Sequence, residues 1–141
     1  MEAGGPERVR VLVVDDEVDF VTALVTRLVR RGFDAVPAFS GPQALTRLRA
    51  APADVVVLDL KMPGMDGLET LREMRRLDPH VQIVVLTGHG TVAAGIDGMQ
   101  LGAADFLQKP TSIEQLCIAI EVAAIRARES RASAAQERGP G

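Results

Sequence analysis

Four short apolar runs in this chain each lead into a reactive polar side chain. Val11-Leu12-Val13-Val14 runs into Asp15-Asp16, Val55-Val56-Val57-Leu58 into Asp59, and Ile83-Val84-Val85-Leu86 into Thr87. A fourth stretch, through Phe106-Leu107, ends at Lys109-Pro110. The run at 55–58 has no polar alternation, the pattern of a strand covered on both faces. Stretches of helical period separate the runs, so strand alternates with helix as a parallel sheet requires. Parallel strands bring all four polar ends to one edge, which then holds three carboxylates, a hydroxyl and an ammonium. Open parallel sheets bind ligands outside that edge, where the strand order reverses.

The expected elements are five strand–helix units. Strand one covers 9–14 and helix one starts at Glu17, with Phe20, Leu24 and Leu28 on one face and Gly32 as its stop. Strand two is weak, over 33–38. Helix two spans 42–50, with Pro42 suited to a first turn. Strand three covers 54–58, helix three 67–77, strand four 81–86, helix four 91–101 and strand five 104–107. Helix five follows Thr111-Ser112 and fades near Arg128. Residues 1–7 and 129–141 are polar or small and are expected to be disordered, leaving one domain over 8–128.

A chain of 141 residues, 47% of them hydrophobic, suffices for one domain with its own core. No apolar stretch approaches the ~20 residues of a membrane helix, and no basic-plus-apolar leader opens the chain. The net charge of −3 argues against a nucleic-acid surface. Cys117, the single cysteine, excludes an internal disulfide and suits a reducing cytoplasm. Among 16 basic residues only Lys61 and Lys109 are lysines, so a lysine at a strand end stands out.

Three carboxylates at one edge repel, and each raises the others' pKa unless a cation intervenes. Mg²⁺ suits such a site, being hard, oxygen-liganded and tolerant of retained waters. An aspartate beside it can attack phosphorus and form an acyl phosphate. Lys109 then supplies a point charge for the phosphoryl oxygens and Thr87 a hydroxyl donor. Each residue also has a plainer reading. Asp15-Asp16 suits a helix N-cap, Asp59 a turn before Met62-Pro63-Gly64, Thr87 a strand end and Phe106 core filling. His89 lies two residues past Thr87, within reach of the phosphoryl position, though a solvated loop histidine explains it as well. Lys61 is expected to lie near the acyl phosphate and alter the access of water.

The segments Val13-Val14-Asp15-Asp16, 58–67, Leu86-Thr87-Gly88-His89-Gly90 and 106–110 together resemble the receiver domain of two-component response regulators, over about residues 8–128. The resemblance is to receivers of the single-domain, chemotaxis-regulator-like type. It implies a flavodoxin-like α/β three-layer sandwich, with a five-stranded parallel sheet in the order 2-1-3-4-5 and five helices. It further implies Asp59 as phosphoacceptor. Asp16, Asp59 and the Lys61 backbone carbonyl match Mg²⁺ ligands, with Asp15 acting through water. Thr87 and Lys109 match the groups that stabilise the phosphoryl, Thr87 and Phe106 the switch pair, and Lys109-Pro110 a cis peptide. A histidine kinase or histidine phosphotransfer protein is the implied donor. The implied chemistry is self-directed, without turnover in the enzymatic sense.

Helix five carries two apolar stripes. Ile113, Leu116, Cys117, Ile120 and Ala124 form the inner one; Ile118, Val122 and Ile125 form a second, about half a turn away. The second stripe is expected to meet a downstream protein or a second copy, through helix four, strand five and helix five. Gly95 and Gly98 weaken helix four by about 1 kcal/mol each, which suits a switching element. Two further readings stay open: the receiver portion of a longer transcriptional regulator, and an aspartyl-phosphate phosphohydrolase. Against the first, the chain opens at Met1 and ends in Arg138-Gly139-Pro140-Gly141, an ordinary finish. Against the second, Asp15 and Asp16 are adjacent where such hydrolases space two aspartates one residue apart, and no cap domain is present.

Overall fold

The computed structural model describes residues 8–61, 66–88 and 92–137. Five strands, β1 (Arg10–Val14), β2 (Asp34–Ala38), β3 (Val55–Leu58), β4 (Gln82–Thr87) and β5 (Asp105–Gln108), alternate with five helices. The helices are α1 (Val18–Arg30), α2 (Gly41–Ala50), α3 (Gly67–Leu77), α4 (Val92–Gln100) and α5 (Ile113–Glu137). All strand pairs are parallel, in the order β2-β1-β3-β4-β5, the flavodoxin-like arrangement expected from the resemblance.

The period-2 alternation of a strand sends successive side chains to opposite faces. Val11, Val13, Val55, Val57, Val84 and Leu86 therefore pack under α1 and α5. Leu12, Val14, Val56, Leu58, Ile83 and Val85 pack on the other face, under α2 and α3, with Phe106 partly buried against them. All four residues of β3 are buried, as its unbroken apolar sequence predicts.

Local chemistry sets the helix ends. Gly32 takes φ +95°, and the Phe33 amide donates to the Leu28 carbonyl at 3.1 Å, which closes α1. The Ser40 hydroxyl caps α2 by accepting from the Gln43 amide, and the Asp66 carboxylate caps α3 by accepting from the Glu69 amide. Ser112 does the same for α5 through the Gln115 amide.

The end of α5 differs from expectation. Its residues past Arg128, expected to form a disordered tail, stay helical to Glu137. Two arginines and a serine explain the extension. Arg128 donates to the Arg8 carbonyl at 2.9 Å and lies 3.4 Å from Asp54. The Ser130 hydroxyl is 2.7 Å from His80 Nδ1, and Arg131 donates to the Ala53 carbonyl and to Asp78, each at 2.9 Å. Ala127 is fully buried, and the alanines that follow are strong helix formers. Among the described residues, no helix is long and apolar enough to cross a membrane.

Candidate functional site

The register between β1 and β3 pairs Val14 with Leu58, so the next residue of each strand, Asp15 and Asp59, emerges at the same edge. The Asp59 amide donates to the Val14 carbonyl at 3.0 Å, locking that placement. One carboxylate oxygen from each of Asp15, Asp16 and Asp59 lies within 4.8 Å of the others. Asp15 and Asp59 are buried and Asp16 is exposed, so the cluster is walled on one side and open to solvent on the other. Each buried acid is held by an amide two residues on: Glu17 donates to Asp15 and Lys61 to Asp59, both at 3.0 Å. The capping explanation for Asp15-Asp16 fails here, because the N-cap position of α1 is Glu17 and no side chain caps it.

Lys109 enters from the end of β5. Its Nζ donates to Asp15 at 2.6 Å and to Glu17 at 3.3 Å, and lies 3.8 Å from Asp59. The ammonium also sits over the Phe20 ring, 4.1 Å from its centroid, within cation–π range. Burial works to lower the Lys109 pKa, but Asp15, Asp59 and Glu17 outweigh it and hold the pKa above its ordinary 10.5. The group is therefore an ammonium at any physiological pH. The Lys109–Pro110 peptide bond is cis.

Burial raises the Asp59 pKa above its ordinary 3.8, and the charge of Asp15 adds to that rise. The Lys61 amide, the nearby Thr87 hydroxyl and Lys109 oppose it without cancelling it. Thr87 is fully buried, and its Oγ1 is left without a hydrogen-bond partner among the described residues. Its influence on Asp59 is thus one of proximity, short of a formed hydrogen bond. Three converging carboxylates, one of them discouraged from ionising, are the donor set that a hard, oxygen-seeking divalent cation relieves. The residues present fit Mg²⁺.

The sequence-predicted residues Asp15, Asp16, Asp59, Thr87 and Lys109 thus share one edge. Lys61 is exposed beside it, tied in by its amide. Phe106 stands apart, half-buried on the face beneath α4. Ile118, Val122 and Ile125 line the outside of α5, between 46% and 60% exposed. His89 and the turn at Met62-Pro63-Gly64 lie outside the described residues. Two residues at the site were not foreseen. Glu17 directly follows the acid pair, a signal available in the sequence. Phe20 sits on the inner face of α1, and nothing in its spacing distinguishes a ring under Lys109 from one in the core.

A family model described as the response regulator receiver domain matches residues 11–121. The transcriptional regulatory protein ZraR of Salmonella typhimurium is 35% identical over 125 residues, which cover 89% of this chain and 28% of ZraR. A response regulator receiver domain protein from Clostridium thermocellum matches in structure with a TM-score of 0.80 at 34% identity, over 85% of this chain and 97% of that one. NtrX from Brucella abortus matches with a TM-score of 0.82 at 29% identity, over 90% of this chain but only 29% of NtrX. The chain therefore spans less than half the length of the curated relatives it resembles.

Proposed function

Since the chain belongs to the response regulator receiver domain family of two-component signalling, we propose that Asp59 accepts a phosphoryl group from a phosphohistidine. The donor is a histidine kinase or a histidine phosphotransfer protein. An Asp59 carboxylate oxygen bonds to phosphorus as the P–N bond breaks, and the bonding pair leaves with the imidazole nitrogen. The product is an acyl phosphate, later hydrolysed by water.

The observation that carries this reading is the meeting of Asp59 with Asp15, Asp16 and Lys109 at one strand edge. Asp16, Asp59 and the Lys61 carbonyl would hold Mg²⁺, with Asp15 engaged through water. When bound, the cation screens the carboxylates from one another and from the phosphoryl oxygens. Lys109 lies 3.8 Å from Asp59 and needs only a small swing to meet a phosphoryl oxygen. The buried Thr87 hydroxyl, close to Asp59, supplies a second donor. Drawing Thr87 inward would free space for Phe106 and repack α4 against β5 and α5, where exposed Ile118, Val122 and Ile125 offer a surface to a protein target or a second copy. A cytoplasmic setting suits a domain with a free, buried Cys117.

A second reading concerns what surrounds the domain. Its match to only 28% of ZraR and 29% of NtrX favours the receiver portion of a longer transcriptional regulator. In that case the phosphoryl chemistry is unchanged, and the output lies in an attached DNA-binding segment.

Mass spectrometry after incubation with acetyl phosphate and MgCl₂ tests the central claim. Wild type should gain one phosphoryl group and Asp59→Ala none. A wild type that stays unlabelled, or an Asp59→Ala variant labelled equally well, overturns it.

A further inference from the structure

Gly95 in α4 and Phe106 in β5 approach more closely than a side chain at 95 ordinarily allows. A Cβ placed at residue 95 would lie 3.0, 3.1 and 3.1 Å from three atoms of the Phe106 ring. Carbon atoms pack best at about 3.5–4.0 Å, so a methyl group there would require the ring to give by a few tenths of an ångström. Gly98, in the same helix, is different: its Cβ would meet the Val85 side chain at 3.6 Å, an ordinary contact. Both glycines weaken α4 to the same degree. Gly95 alone has a packing reason to be there.

The Phe106 ring also sits where a displacement has consequences. Phe106 pairs with Val85 and Gln108 with Thr87 in the β4–β5 register. Val85 and Thr87, two residues apart on one strand, face the same side of the sheet as Phe106. The ring, half-buried, lines an apolar hollow with Gly95, Ile96 and Met99, while the Thr87 hydroxyl farther along has no hydrogen-bond partner among the described residues. Thr87 is the next residue of β4 beyond Val85 on this face.

We propose that Gly95 is a positioning residue for Phe106: the bare backbone at 95 is the seat that holds the ring outward before phosphorylation. It thereby sets how much the phosphoryl group must contribute to move the ring. The proposal rests on the reading of Asp59 as phosphoacceptor and Phe106 as its switch. Its physical content is a strain difference, because a side chain at 95 destabilises the outward ring and leaves the inward one untouched. The apparent affinity for a phosphoryl mimic rises in proportion to the fraction of protein already in the receptive state.

The test titrates beryllofluoride with MgCl₂ into wild type, Gly95→Ala, Gly98→Ala, Phe106→Ala and the Gly95→Ala/Phe106→Ala double variant. Gly95→Ala should bind a few-fold more tightly than wild type, from mild overpacking strain relieved on switching. Gly98→Ala, which strengthens the helix equally, should match wild type. The gain should vanish when the ring is absent. Equal affinities for Gly95→Ala and Gly98→Ala, or a gain that persists without the ring, overturns the proposal. A second readout needs no metal: in magnesium-free protein labelled with fluorophenylalanine, the resonance lost in Phe106→Ala should shift in Gly95→Ala but not in Gly98→Ala. An unmoved resonance overturns the seat even if phosphorylation proceeds. Failure of wild type to bind beryllofluoride, with the resonance shifted as expected, overturns the phosphoacceptor reading and leaves the seat standing.

Discussion

The Arg131 guanidinium reaches from the last turns of α5 to the Asp78 carboxylate, 2.9 Å away at the C-cap of α3. The same nitrogen donates to the Ala53 carbonyl, just before β3. Together with Arg128 on Asp54, these contacts strap α5 beneath the sheet, at the end opposite the acid cluster.

Arg131→Ala should therefore cost about 1 kcal/mol at pH 7, the usual worth of a partly buried charged hydrogen bond. Urea unfolding measures the loss. Burial works to raise the Asp78 pKa, but Arg131 and the His80 amide outweigh it and hold the pKa below the ordinary 3.8. A carboxylate whose folded pKa is depressed contributes stability above its unfolded pKa and loses it as pH falls through the folded value. The difference between wild type and Arg131→Ala should thus be constant near neutrality and shrink only below pH ~4. Amide exchange in residues 128–137 should accelerate in the variant. A variant with unchanged midpoint and exchange means that the strap contributes nothing.

Gly67 opens α3 against the backbone of Leu60: a Cβ there would lie 2.2 Å from the Leu60 Cα and 2.6 Å from its carbonyl oxygen. No rotamer change relieves a clash with main chain. Gly67→Ala should destabilise by about 3 kcal/mol, at the upper end of overpacking costs. The forced movement falls on Leu60, next to Asp59, so the folded fraction should also label more slowly with acetyl phosphate. Wild-type stability in Gly67→Ala would show that the α3 start shifts freely.

Lys61 is exposed and its backbone amide donates to Asp59, which fixes its main chain beside the site. A long side chain anchored there is expected to slow approaching water. Lys61→Ala should shorten the acyl-phosphate half-life a few-fold while leaving one phosphoryl per chain. A half-life equal to wild type, followed by acid quenching and mass spectrometry, removes that role for Lys61.

The parts of this protein visible in its sequence are those in which one residue's type answers one physical demand. Val55–Leu58 had to be a covered strand, and Gly32 had to end α1. Asp15 and Asp59 had to share an edge once their strands were parallel neighbours. What escaped depends on side chains meeting across elements distant in the chain. The extension of α5 past Arg128 has no apolar stripe to announce it, only arginines whose acceptors, Asp54 and Asp78, come from other loops. Phe20 under Lys109, and Phe106 seated on Gly95, are likewise products of the tertiary fold, and neither periodicity nor motif spacing encodes them.

Asp59 itself should weaken the metal-free fold. Burial raises its pKa above 3.8, and Lys109 and the Lys61 amide only partly compensate. A group whose folded pKa is raised contributes stability below its unfolded pKa, and that contribution is lost as pH rises through the folded value. In EDTA at pH 7, Asp59→Asn should be more stable than wild type by about 1 kcal/mol, because a neutral amide keeps the Lys61 hydrogen bond without the buried charge. Near pH 3 the advantage should vanish, since wild type is then protonated as well. Added MgCl₂ should raise the wild-type unfolding midpoint more than that of the Asn variant and narrow the gap, because a ligand stabilises the state that binds it. An Asn variant less stable than wild type in EDTA at pH 7 would mean that Lys109 already satisfies the Asp59 charge. The electrostatic case for a cation at this edge would then fall with it.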